Sequence, residues 1–181
     1  MCLCLGPVKS GKTLLMKRLQ GDIVDDATQT IATNGMNLFL VKKEPGQQQS
    51  GIIIREIGGH MAPLWKYYLE GVHKIIYVMD ASNLCQISAV GILLYSLLVN
   101  PKLSKASFAL VLSKMDLSYR QMRNEALLVL HMTRLQRETP QNITIIETSS
   151  VTGQGIEELR KWIFQKSKNL TKNKSQEIVK I

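Results

Sequence analysis

The chain has 181 residues, 45% of them hydrophobic, and a formal net charge of +9. That length suits one α/β domain with a well-buried core and is too short for two, and no apolar stretch approaches the roughly 18 residues of a membrane-spanning helix. The three cysteines Cys2, Cys4 and Cys85 lack metal-ligand spacing, and the N-terminal apolar run is too short for a signal-peptide core, so a soluble, intracellular, cytoplasmic protein is expected.

In chain order, residues 1–5 form a short apolar run that reads as a buried strand, and residues 14–19 read as a helix. Between them Gly6-Pro7-Val8-Lys9-Ser10-Gly11-Lys12-Thr13 spells the phosphate-loop pattern G-x-x-x-x-G-K-[ST] in its strand–loop–helix context. Glycines let such a backbone wrap phosphates, and the unpaired N–H groups of the new helix point at them with the positive end of its dipole. Lys12 is placed to reach the β and γ phosphates, and the Thr13 hydroxyl to ligate magnesium.

Residues 21–34 are polar and turn-rich, a long loop. Residues 36–41 and 52–57 read as two strands, and the turn-forming residues 44–51 join them as an antiparallel hairpin. Three further runs, 75–79, 108–112 and 143–146, are continuously apolar, which is what strands buried on both faces require. Helical spacing separates them: Ile87, Val90, Leu94 and Leu97 mark one face, Met122, Ala126 and Leu130 a second, and Ile156, Leu159 and Ile163 a third. The alternation predicts a mostly parallel six-stranded sheet with helices on both faces and one antiparallel hairpin strand, the α/β fold of a P-loop NTPase. Ligands of such sheets sit beyond the carboxyl ends of the strands, where the glycine loop lies.

After the strand at 108–112 comes Ser113-Lys114-Met115-Asp116, which resembles the N-K-x-D motif of GTP-binding proteins. A carboxylate at Asp116 accepts from guanine N1–H and the exocyclic amine, a bidentate pair that adenine cannot supply, while the Lys114 stem lies against the base. Losing such a pair costs on the order of 1–3 kcal/mol of discrimination. At the end of the last strand, Ser149-Ser150-Val151 resembles the S-A-K element whose backbone N–H meets the guanine carbonyl.

Two more segments carry a family resemblance. Thr30-Ile31-Ala32-Thr33-Asn34-Gly35-Met36-Asn37 is similar to the T-I-P-T-x-G-x-N switch of the Arf GTPases, the ADP-ribosylation factor family. Arg55-Glu56-Ile57-Gly58-Gly59-His60 resembles their W-D-x-G-G-Q, and Pro63-Leu64-Trp65 and Val78-Met79-Asp80 follow the same pattern. The resemblance spans residues 1 to about 166 and implies a G domain (1–166) followed by a basic tail (167–181). It implies GTP/GDP and Mg2+ as cofactors, with Thr33 a second hydroxyl ligand of the metal and the Gly59 N–H a donor to the γ-phosphate. Both contacts exist only with GTP, so hydrolysis releases the loops. Partners implied are effectors of the GTP state, an exchange factor and a GTPase-activating protein. Trp65, Phe39 and neighbouring apolar residues become candidates for the effector surface, with core packing the other reading of both.

The chain also departs from that family. His60 stands where the water-orienting glutamine belongs, and the step from His60 to Pro63 is two residues short, so slow intrinsic hydrolysis is expected. Glu56 replaces the aspartate that holds a magnesium-bound water, which implies a weaker metal or a different water. Ser113 replaces the asparagine of N-K-x-D, and the loss of its tie to the phosphate loop is expected to lower guanine affinity. Cys2 stands where a myristoyl acceptor glycine is needed. From Arg160 onward, seven basic residues and one acid hold six of the nine net positive charges. That tail suits weak contact with anionic lipid head groups, and sequence-specific nucleic-acid binding is not expected. A monomeric switch in membrane or ciliary traffic is the leading expectation; a non-hydrolysing scaffold and a P-loop ATPase or kinase are its rivals.

Overall fold

The computed structural model describes residues 1–43 and 51–165. Strands β1 (Cys2–Leu5), β2 (Met36–Val41), β3 (Ile52–Ile57), β4 (Lys74–Asp80), β5 (Ser107–Ser113) and β6 (Asn142–Glu147) form one sheet in the order β2-β3-β1-β4-β5-β6. Every neighbouring pair is parallel except β2 and β3, whose antiparallel register sets Leu40 opposite Ile53 and Asn37 opposite Glu56. Around it lie helices α1 (Lys12–Gln20), α2 (Ile87–Leu98), α3 (Arg120–Val129), α4 (Met132–Glu138) and α5 (Ile156–Phe164). The turn of the hairpin at 44–50 and the basic tail at 167–181 lie outside the described residues.

Side chains of successive strand residues point to opposite faces, and the unbroken apolar runs therefore feed two cores at once. Leu3, Leu5, Ile75, Tyr77, Met79, Phe108, Leu110 and Leu112 face α2, α3 and α4. Cys2, Cys4, Ile76, Val78, Ala109 and Val111 face α1 and α5. Of the face residues read from helical spacing, Ile87, Val90, Leu94, Leu97, Ala126, Leu130, Ile156, Leu159 and Ile163 are buried, and Met122 is half-buried.

Three local features add to the sequence reading. β6 is the edge strand; its Ile143 and Ile146 are buried in the two cores on opposite faces, while Thr144 and Ile145 are half-buried. The helix read over Met122 to Leu130 is α3, and a further helix that the sequence reading lacks, α4, follows it after His131 takes a left-handed conformation (φ 49). A 3-10 helix, Gly59–Tyr68, follows β3 with Pro63 inside it, where periodicity gave no helical signal. Trp65 and Phe39 are core residues, 2% and 7% exposed, and the effector-surface assignment of these two side chains is overturned. Trp65 packs edge-on against Tyr77 and donates its indole N–H to the Gly58 carbonyl at 3.3 Å. Its ring is spent on fixing the segment after β3.

Candidate functional site

The phosphate-loop residues Gly6 to Thr13 join the carboxyl end of β1 to α1, as the pattern predicts. Gly11 caps α1 in a left-handed conformation (φ 82), which glycine adopts without strain, and this exposes the first amides of the helix. Lys12 is 6% exposed, and its ammonium folds back to donate to the Pro7 carbonyl at 2.7 Å. Burial lowers the Lys12 pKa, with the neighbouring Cys4 and Glu56 acting in the opposite direction. The ammonium is thus buried with one short bond to its own loop, beside the pocket that the loop lines.

Val8, Lys9, Ser10, Gly11, Lys12 and Thr13 line one wall of a pocket of about 300 Å3. Thr30 to Thr33, Glu56, Gly59 and His60 line the rest. Segments separated in sequence are therefore brought onto one cavity. Gly59 lies so close to the loop that an added Cβ would stand 2.4 Å from the Val8 nitrogen, which explains glycine at this position. Gly58 N–H donates to the Gly35 carbonyl at 2.9 Å, joining the segment after β3 to the one before β2. His60 is exposed at the rim of the pocket.

Three oxygens meet beside the loop. Thr13 Oγ1 donates to Glu56 Oε1 at 2.5 Å and lies 3.2 Å from Thr33 Oγ1. Glu56 is fully buried, and Asn37 Nδ2 donates to its other oxygen at 3.2 Å and to Thr33 Oγ1 at 3.3 Å. Asn37, which sequence reasoning quoted only as part of a motif, is thus the residue that orients both. A donor set of two hydroxyls and a carboxylate fits a hard divalent cation such as magnesium, so the residues present match the metal that the fold implies.

The base-reading candidates sit two and three strands away, at the ends of β5 and β6, outside the lining of that pocket. Lys114 has a positive φ of 59 and its ammonium pairs with Asp80 Oδ2 at 2.5 Å. Asp80, at the end of β4, was not singled out for this role by sequence; it also accepts from Ser82 N and Oγ. Asp116 is exposed. Met115 N–H donates to the Thr148 carbonyl at 3.1 Å, so the loop carrying Asp116 and the loop carrying Ser149, Ser150 and Val151 are laced together. Ser113 corrects an expectation. Its hydroxyl is 2.7 Å from the Ser10 carbonyl and 2.8 Å from the Met79 carbonyl, so the tie to the phosphate loop persists without an asparagine.

The ADP-ribosylation factor family pattern matches residues 1–167. Human ADP-ribosylation factor-like protein 16 is 33% identical over 173 residues, covering 90% of this chain and 84% of that protein. ADP-ribosylation factor-like protein 2 of Dictyostelium discoideum is 28% identical over 165 residues, with the same shares of 90% and 84%. Among solved structures, the Arl6 BBS3 small GTPase from Trypanosoma brucei with bound nucleotide analogue GppNp superposes with a TM-score of 0.73 at 20% identity. The match covers 90% of this chain and 93% of that one. The sheet order, the phosphate loop and the family match agree, and the chain belongs to the ADP-ribosylation factor family of small GTPases.

Proposed function

We propose that this chain is an atypical Arf-family switch that cycles between GDP and GTP states and hydrolyses GTP slowly on its own. In its GTP state it recruits effectors in intracellular or ciliary membrane traffic, a role argued from family analogy. Membership of the family carries guanine-nucleotide and magnesium binding, hydrolysis, and engagement of effectors, exchange factors and activating proteins in their general form. The observation that carries the reading is the convergence of the phosphate loop, Thr33, Glu56 and Gly59 on one pocket.

In this proposal Gly6, Pro7, Val8, Lys9, Ser10, Gly11, Lys12 and Thr13 hold the phosphates. Thr13 and Thr33 ligate the metal, with Glu56 beside them. The Gly59 N–H meets the γ-phosphate, and His60 takes the water-orienting position. Lys114 and Asp116 read guanine with the backbone of Ser149, Ser150 and Val151. Magnesium supplies charge neutralisation at the β and γ phosphates; the residues bind, orient and exclude water around them. The effector surface falls on the exposed neighbours of Phe39 rather than on Phe39 itself: Leu38 and Leu40 of β2 and Ile53 of β3, 60%, 46% and 56% exposed. The G domain occupies 1–166, and the basic tail at 167–181 contacts anionic membrane weakly. The protein acts as a cytoplasmic monomer, peripheral to membranes through its partners.

Equilibrium binding of GTP, GDP and ATP, with and without magnesium, tests the reading. Tight magnesium-dependent guanine binding that ATP does not displace is expected, and Asp116→Asn should move preference towards xanthine nucleotides. Displacement by ATP, or no binding of any nucleotide, would refute it. A second reading, a scaffold that holds nucleotide without turnover, is favoured by an exposed imidazole at His60 where an amide is needed. Bound GTP that stays intact after an activating protein is added would select it.

A further inference from the structure

Sequence comparison puts Glu56 where an aspartate reaches magnesium through a water, and the geometry points elsewhere. We propose that Glu56 Oε1 is a direct ligand of the metal, facing it together with Thr13 and Thr33; this rests on the nucleotide-switch reading above.

The argument is metric. Thr13 Oγ1, Thr33 Oγ1 and Glu56 Oε1 are separated by 2.5, 3.2 and 3.5 Å. A triangle with those edges has a circumradius of about 1.8 Å, so a point about 1 Å out of its plane lies at the ~2.0–2.1 Å magnesium–oxygen distance from all three corners. Adjacent ligands of a regular octahedron of that size stand about 2.9 Å apart, and the three edges bracket this value. The edges depart from it by about 0.3 to 0.6 Å, so side-chain shifts of that size complete one face of an octahedron.

The extra methylene of glutamate is what brings the carboxylate this far. A side chain one carbon–carbon bond shorter on the same strand position would end more than an ångström back, at the range where a water completes the contact. Asn37 makes the reach selective: by donating to Glu56 Oε2 at 3.2 Å it holds that oxygen away and leaves Oε1 for the metal. Asn37 is a positioning residue here. Magnesium is commonly held through one or two carboxylates together with substrate phosphates, so a direct glutamate suits it. The ligand also sits on β3, within the sheet, whereas Thr33 sits on the long loop before β2. Glu56 thus gives the metal an anchor that does not depend on the loop.

The proposal is tested by counting water ligands of Mn2+ substituted for magnesium in the complex with the GTP analogue GppNHp, from the broadening of its electron paramagnetic resonance lines in 17O-enriched water. Six positions less Thr13, Thr33, Glu56 and one oxygen from each of the β and γ phosphates leave one water in the unsubstituted chain. Glu56→Asp should add one water. Two waters in the unsubstituted chain overturn direct ligation, and so do equal counts in the two proteins. If Glu56→Asp fails to fold, the count in the unsubstituted chain decides alone. Failure to bind the analogue at all would instead remove the switch reading, and the proposal with it; binding with two waters would leave that reading standing.

Discussion

At Lys12 a charge is kept in a nearly dry place, and its titration follows from that. Burial lowers its pKa below the ordinary 10.5. Below the lowered value the ammonium is charged with or without ligand, and this group adds no pH dependence. As pH rises from there towards 10.5 the free protein releases the proton, and phosphate binding must take it back. Nucleotide affinity should therefore fall across that alkaline window, with proton uptake seen as a buffer-dependent heat of binding. Stability of the free protein moves the opposite way, because the cost of the buried charge fades as pH rises. Lys12→Arg, which stays charged, should bind more weakly but with no such slope; a slope unchanged in that variant would assign the titration to another group. His60 and Glu56 show the limit of residue identity. Each reads as a defect beside the family pattern, yet one lies exposed at the rim and the other is buried among hydrogen-bond partners.

Elements transmit these residue choices through a few backbone contacts. The phosphate loop, the end of β5 and the end of β6 are separate in sequence and are joined by the Ser113 hydroxyl at Ser10 and by Met115 N–H at Thr148. Ser113 is 3% exposed, so removing its hydroxyl leaves one buried carbonyl, that of Ser10 or Met79, short of a donor. Such an orphaned group costs about 1–3 kcal/mol. Ser113→Ala should lower the denaturation midpoint accordingly and weaken GTP and GDP alike, with Ser113→Thr retaining much of both. A full-strength guanine site in Ser113→Ala would show that the loops are placed by the strands alone. At the other end of the sheet, Lys74 donates to the carbonyls of Trp162 and Ile163 at 2.8 and 2.7 Å. This closes the carboxyl end of α5 on β4, where a cation also complements the helix dipole.

The described residues form a sheet between two apolar layers, and the three thiols report on that arrangement. Cys2 and Cys4 are buried in the layer under α1 and α5, whereas Cys85 is exposed. Burial pushes the Cys2 thiol up to about 12 and the Cys4 thiol well above its ordinary value, so both are unreactive while the fold is intact. With a disulfide reagent, one thiol should react at once and two only as the chain unfolds. Nucleotide at about 100 times its dissociation constant stabilises the native state by about 2.7 kcal/mol. It should slow the two buried thiols roughly 100-fold when they react through global unfolding, and leave Cys85 unaffected. Equal protection of all three would place the nucleotide effect elsewhere.

Much of this protein was legible from sequence because the signals were local or periodic. The phosphate loop reads directly because strand, glycines, lysine and threonine are contiguous. The buried strands read because short unbroken apolar runs, alternating with helical spacing, suit a sheet covered on both faces. The two-helix break at His131, the 3-10 helix after β3 and the edge position of β6 did not read, since each depends on which neighbours the segment meets. Exposure is likewise a tertiary quantity: Trp65 and Phe39 are apolar in either role, and only packing assigned them to the core while leaving Leu38, Leu40 and Ile53 outside. The sequence by itself determined the fold class and the chemistry of the phosphate loop, because both follow from short-range pattern. Only the tertiary structure decided that Ser113 still ties two loops together and that Glu56 stands against Thr13. Distances between residues far apart along the chain are set by how the elements pack, not by the identity of either residue.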